Sequence, residues 1–243
     1  MQHISRVLSD GSTVVYAWFQ AMHTRVDLLL KSDHLMDKDL LDVADGIHAV
    51  ITALEKAGNR FDPESELWRL NHFPAGEEIE ISEVLFDMLS QCLHYNSLTG
   101  GLFDISVSSL SFRPGFLRQI HLKDGRKFSR DSEDVILDLS GFIKGYALDR
   151  IRIYLDNKGV TEALVNLGNS SIMAIGDVPG PVRNGCLTTS GNGKQPRRHI
   201  RNPLTGDYIS RTGETQVFML FIIRLMYRDF DGNYIIFGVK FYS

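Results

Sequence analysis

Residues 40–57 place Leu41, Ala44, Ile47, Ile51 and Leu54 at helical spacing and then meet Gly58-Asn59, a stop signal. A long amphipathic helix at this position constrains the fold more than any other feature, because the segments ahead of it read as strands. Residues 13–19 are dense in β-branched and aromatic side chains. Residues 25–30 continue that pattern after a junction at Ala21-Met22-His23-Thr24.

The same mixture continues along the chain. Pro63 and Ser65 open a helical turn over 65–71, with Ser65 placed to cap its first amides. Ser82 caps a second long helix over 82–99, whose apolar face is Val84, Leu85, Met88, Leu89, Cys92 and Leu93, and Gly100-Gly101 ends it. Residues 103–110 read as extended. Residues 119–122 and 135–139 read as short strands separated by the tight-turn dipeptide Asp124-Gly125. A third helix is expected over 143–157, and a strand over 163–167 that runs into Gly168. Strands and helices mix without a regular βαβ rhythm, so the expected class is α+β, with mixed or antiparallel sheets packed with several helices in a single domain over 1–243.

Composition narrows the partners. The 26 Lys and Arg against 30 Asp and Glu leave a net charge of −4, with no global basic field for nucleic acid. An anionic ligand must then be held locally. Cys92 and Cys186 are too few for a disulfide framework or a zinc site and read as small buried hydrophobes. The most apolar run, 217–226, falls short of the ~20 residues of a membrane span and contains Arg224, so a buried strand is expected. No signal peptide is visible, which makes the cytoplasm the expected compartment. Oligomeric state is open.

Short polar segments in a consistent order carry the chemistry. They are Phe61-Asp62-Pro63-Glu64-Ser65-Glu66, then Gly100-Gly101-Leu102-Phe103-Asp104-Ile105-Ser106, then Leu137-Asp138-Leu139-Ser140-Gly141-Phe142-Ile143-Lys144-Gly145. Val165-Asn166-Leu167-Gly168, Thr189-Ser190-Gly191 and His199-Ile200-Arg201-Asn202-Pro203 follow. Lys144 stands at a helix start, where free amides and the macrodipole already favour a phosphate; as a single residue it reads equally as a solvated lysine on the helix face. Asp138 either accepts hydrogen bonds from a ribose or adenine or caps the following helix. Phe61 and Met22 suit a flat apolar ring, or the core. His199 is either a general base or a strand-edge histidine bonding a nearby loop.

This series, from about residue 21 to about residue 206, resembles the ApbE-like flavin transferases, which move FMN from FAD to a threonine hydroxyl of a protein and release AMP. The resemblance implies FAD contacts at Met22, Phe61, Leu102, Phe103, Asp104, Asp138 and Lys144. It implies a backbone carbonyl of Gly141 as a ligand of Mg²⁺, His199 as the base toward the acceptor threonine, and FAD and a flavinylated protein as partners.

The chain departs from the family pattern in four places. His23 replaces a usual glycine, Asn169 and Ser170 replace a glycine and an aspartate, and the loop between Gly191 and His199 is short. Beyond Val217 the family's metal-binding aspartate and threonine are replaced by Phe218-Met219-Leu220-Phe221-Ile222-Ile223-Arg224-Leu225-Met226. Of the late carboxylates, Asp229 and Asp231 precede Gly232, where a hairpin turn is expected with a final strand over 234–242. Three functions fit: Mg²⁺-dependent FMN transfer, FAD binding without turnover, or FAD hydrolysis to FMN and AMP.

Overall fold

The computed structural model describes residues 1–178, 184–188, 204, 227–228 and 234–235. In chain order the elements are β1 (Gln2–Val7), β2 (Thr13–Ala21), β3 (Thr24–Ser32), α1 (Asp37–Gly58), α2 (Glu66–Asn71), β4 (Ile79–Glu80), α3 (Glu83–Leu98), β5 (Ile120–Lys123) and β6 (Lys127–Arg130). They continue with α4 (Ile143–Asn157), β7 (Glu162–Leu167), β8 (Ser171–Ile175), β9 (Gly185–Thr188), β10 (Tyr227–Arg228) and β11 (Tyr234–Ile235). The class is α+β, as the sequence indicates. No helix among the described residues is long and apolar enough to cross a membrane.

The chain divides into two compact units. The first comprises residues 1–52, 144–191 and 216–243. Its antiparallel sheet has the order β1-β2-β3-β7-β8-β9. Alternation sets the buried face: Val15, Ala17, Phe19 and Ala21 from β2, Val26, Leu28 and Leu30 from β3, and Ala163, Val165 and Leu167 from β7 are all buried. Each large one contributes about 1.5–3 kcal/mol by leaving water. The inward stripe of α1 is Leu40, Val43, Ala44, Ile47 and Ile51, shifted from the expected one in that Leu41 is only half-buried. Phe19 meets the His48 ring at 4.3 Å, which seats α1 on the sheet. Gly46 lets α4 approach, since a Cβ there would stand 1.9 Å from the Tyr154 hydroxyl.

The second unit, residues 53–143 and 192–215, holds α2, α3 and a three-stranded sheet of order β4-β6-β5. Both expected caps form: Ser65 Oγ accepts from Trp68 N–H and Ser82 Oγ from Leu85 N–H, each at 3.1 Å. Glu66 joins the two helix starts by accepting from Ser82 N–H at 2.6 Å. Leu85, Met88, Leu89 and Cys92 form the buried face of α3.

Two expected strands are absent, for one physical reason. Residues 103–110 fold as successive turns because Asp104 Oδ1 accepts from both Ser106 N–H (2.8 Å) and Ser106 Oγ (2.6 Å), and Ser109 N–H bonds Ser106 O. Residues 135–139 run without a ladder because side chains hold their backbone groups. Asn71 Nδ2 donates to Leu137 O and Asn71 Oδ1 accepts from Leu137 N–H, both at 2.9 Å. Ser109 Oγ accepts from Ile136 N–H, and Arg130 Nη1 donates to Val135 O. The hairpin at Asp124-Gly125 closes instead onto β6, with Gly125 and Arg126 in the left-handed region. The run 217–226 lies outside the described residues. Of the expected hairpin around Asp231-Gly232, the described part is the antiparallel pairing of Tyr227–Arg228 with Tyr234–Ile235.

Cys92 is buried, whereas Cys186 is half-exposed rather than buried. Burial pushes the Cys92 thiol well up, and burial followed by the charge of Asp149 pushes Cys186 up to about 12. Because only the thiolate reacts, both should alkylate at pH ~8 at least ~100-fold more slowly in the native chain than in urea. Mass spectrometry after a timed iodoacetamide pulse measures this, and rapid labelling of native Cys186 would contradict it.

Candidate functional site

In the second unit Asp138 draws partners from three separate segments. Its Oδ1 accepts from Ser140 N–H (2.9 Å) and Ser140 Oγ (2.5 Å), and its Oδ2 accepts from Ser108 Oγ at 2.8 Å. Arg60 Nε stands 3.2 Å from the same Oδ2. Asp138 therefore builds a turn ahead of α4 instead of capping the helix itself. Arg60, Ser108 and Ser140 are site neighbours that the sequence reading did not single out; no spacing rule brings 60, 108 and 138 together.

Phe61 is 64% exposed, which removes the core reading. The Arg60 guanidinium lies over its ring at 4.5 Å. Leu102 is exposed, and Phe103 is half-buried in an aromatic group with Tyr95 and Phe142. Asp104 is half-buried, and burial raises its carboxyl above the ordinary carboxylate value despite the bonds from Ser106. It lines a cavity of about 390 Å³ with Asn96, Gly100, Gly101, Gly115 and Arg118.

In the first unit Met22 and His23 form the two-residue link of the β2–β3 hairpin, at φ 51° and 56°. Such links favour glycine or asparagine, so the glycine-to-histidine departure falls at a left-handed position. Asn169, the second departure, is also left-handed at φ 57°. It is held by reciprocal 2.8 Å bonds with Asn166. Gly168 is required by close approach: its φ is +67°, and a Cβ would stand 2.8 Å from Thr24 Cβ.

Lys144, in the first turn of α4, is half-buried, unlike a solvated lysine on a helix face. Its Nζ donates to Ser170 Oγ at 3.1 Å, and among the described residues it has no carboxylate partner. Desolvation accordingly lowers its pKa below the ordinary value. Nearby in sequence, Gly145 has no described atom within 4 Å of where a Cβ would stand, although glycine within a helix costs about 1 kcal/mol relative to alanine. Gly141 is likewise open and exposed. His199 lies outside the described residues.

The ApbE family model matches residues 22–116 and 112–207. Among curated proteins, an FAD:protein FMN transferase of Vibrio cholerae is 27% identical over 127 residues, 43% of this chain and 38% of that protein. One from Klebsiella pneumoniae is 24% identical over 152 residues, 52% of this chain and 43% of that protein. The chain thus spans about two fifths of the length of the curated relatives it matches. Among solved structures, the flavin transferase ApbE of Vibrio cholerae superposes with TM-score 0.69 at 19% identity, covering 82% of this chain and 79% of that one. The apo form of the Pseudomonas stutzeri flavinyl transferase ApbE gives 0.68 at 17% identity, over 86% and 78%. The ordered motifs, the α+β fold and a family model matched across more than half of its length agree: this chain belongs to the ApbE family.

Proposed function

We propose that this chain binds FAD and is a weak FAD:protein FMN transferase. The observation that carries the reading is Lys144, a desolvated ammonium whose hydrogen-bond partner among the described residues is a neutral hydroxyl. A half-buried cation without a counter-charge among the described residues is unfavourable, and a pyrophosphate supplies that charge beside the amides that open α4. Met22, Phe61, Leu102, Phe103, Asp104 and Asp138 complete the flavin-nucleotide contacts in this reading, and His199 is the base toward a threonine hydroxyl.

The donor set does not fit the family's Mg²⁺. Gly141 offers a neutral carbonyl, and residues 218–226 contain no oxygen-bearing side chain, whereas this cation needs oxygens in near-octahedral order. Retained FAD binding with poor transfer follows. FAD should bind more tightly than FMN, as calorimetric titration with both flavins measures; equal weak binding would remove the dinucleotide reading. Incubation with FAD, Mg²⁺ and a threonine-containing flavinylation substrate should leave little covalent flavin fluorescence on a denaturing gel. Strong labelling that disappears in Asp229→Ala or Asp231→Ala would instead give the metal to that late carboxylate.

A further inference from the structure

Resting on the FAD reading above, we propose that Arg60 is a ligand-binding residue of this site: with Phe61 it forms the platform on which a flat ring of the flavin nucleotide stacks, and Asp138 is its positioning residue. A carboxylate has about four acceptor positions. In Asp138 two are taken by Ser140, one by Ser108 Oγ, and the last faces Arg60 Nε at 3.2 Å. Three acceptor positions are thus spent on serines, and the fourth faces the guanidinium without an aligned hydrogen bond. Its charge reaches the ligand through the guanidinium it holds.

Arg60 is free to receive one. Its side chain is 22% exposed, Asp138 is its ion-pair partner among the described residues, and its Nη groups bond to none of them. Its Nε is buried and lacks an aligned acceptor even beside Asp138, so the present arrangement leaves donor capacity unused. The guanidinium lies 4.5 Å from the centre of the Phe61 ring, and that ring is 64% exposed. An exposed aromatic ring joined to a fixed planar cation offers a stacking surface and outward N–H donors to a heteroaromatic ring that bears carbonyl or imine acceptors. Both flavin and adenine have this character.

The test is FAD titration, followed by flavin fluorescence, of the full chain and of Arg60→Ala, Arg60→Lys, Phe61→Leu, Asp138→Asn and the double variant Arg60→Ala/Asp138→Asn, with melting temperatures measured alongside. Arg60→Ala and Phe61→Leu should each weaken FAD by about tenfold. Arg60→Lys should not restore affinity, because an ammonium does not stack as a guanidinium does. Asp138→Asn should weaken binding alone and add nothing in the Arg60→Ala background. Should Arg60→Ala fail to fold, Phe61→Leu decides, since the Phe61 ring is mostly in solvent. Wild-type affinity in both Arg60→Ala and Phe61→Leu overturns the proposal, as does a full additional loss from Asp138→Asn in the Arg60→Ala background. Loss of binding in Lys144→Ala with normal binding in Arg60→Ala overturns this inference alone; no FAD binding by the unaltered chain overturns the FAD reading and this inference with it.

Discussion

Replacing Lys144 with alanine is expected to weaken FAD binding by about 10–100-fold, the range of one lost hydrogen bond to a charged group. The melting temperature should stay where it is or rise slightly. In the ligand-free chain the ammonium is desolvated, so its folded pKa lies below the ordinary value of 10.5 and the folded state holds that proton less tightly than the unfolded state does. The resulting penalty is present below the folded pKa and is relieved as pH rises through the folded toward the unfolded value; alanine removes it altogether. A bound pyrophosphate acts in the opposite direction and stabilises the charged form. FAD affinity should therefore fall as pH rises through the folded pKa of Lys144, and fall earlier than a fully solvated lysine would allow. Lys144→Arg should keep the affinity flat over the same range, because a guanidinium does not titrate there. Calorimetric titrations across neutral and alkaline pH measure all three proteins. Unchanged FAD affinity in Lys144→Ala, combined with a large drop in melting temperature, would assign the residue a purely structural part through Ser170.

Asn71→Ala should destabilise the fold by about 2–6 kcal/mol, on the order of 1–3 kcal/mol for each of the two buried backbone groups left without a partner. The side chain is 6% exposed and spends both ends on Leu137, donating to its carbonyl and accepting from its N–H. Alanine leaves both groups buried and unpaired. The damage extends to the site, because Asp138 follows immediately and its own N–H is fixed to Ile105 O at 2.8 Å. FAD binding should fall together with stability. Urea denaturation gives the first quantity from the midpoint at constant slope. A change below ~0.5 kcal/mol would show that water replaces the asparagine without cost.

Much of the fold was legible from local pattern. The helices starting after Ser65 and Ser82, the long helix that follows the first hairpin and the strands on either side of Met22-His23 are dictated by periodicity and caps, which act within a few residues. β1, β8 and β9 were not legible. They are short, and β1 is exposed along its whole length, so no alternation of apolar residues marks it. The reading of residues 135–139 as a strand failed for a different reason. Their composition is strand-like, but their hydrogen bonds go to Asn71, Ser109 and Arg130, side chains remote in sequence.

The same division runs through the candidate site. Motif order, through the family resemblance it carries, picked out Asp138, Lys144 and Phe61; residue type and position relative to a helix start left each of them open. Only the tertiary structure decided what surrounds each of them. Lys144 is partly desolvated and meets Ser170, Phe61 faces solvent under Arg60, and Asp138 accepts from Ser140 and Ser108 and pairs with Arg60. Desolvation and hydrogen bonding depend on atoms brought within about 3–4 Å by the fold, and no local pattern in a sequence encodes which distant residues those will be.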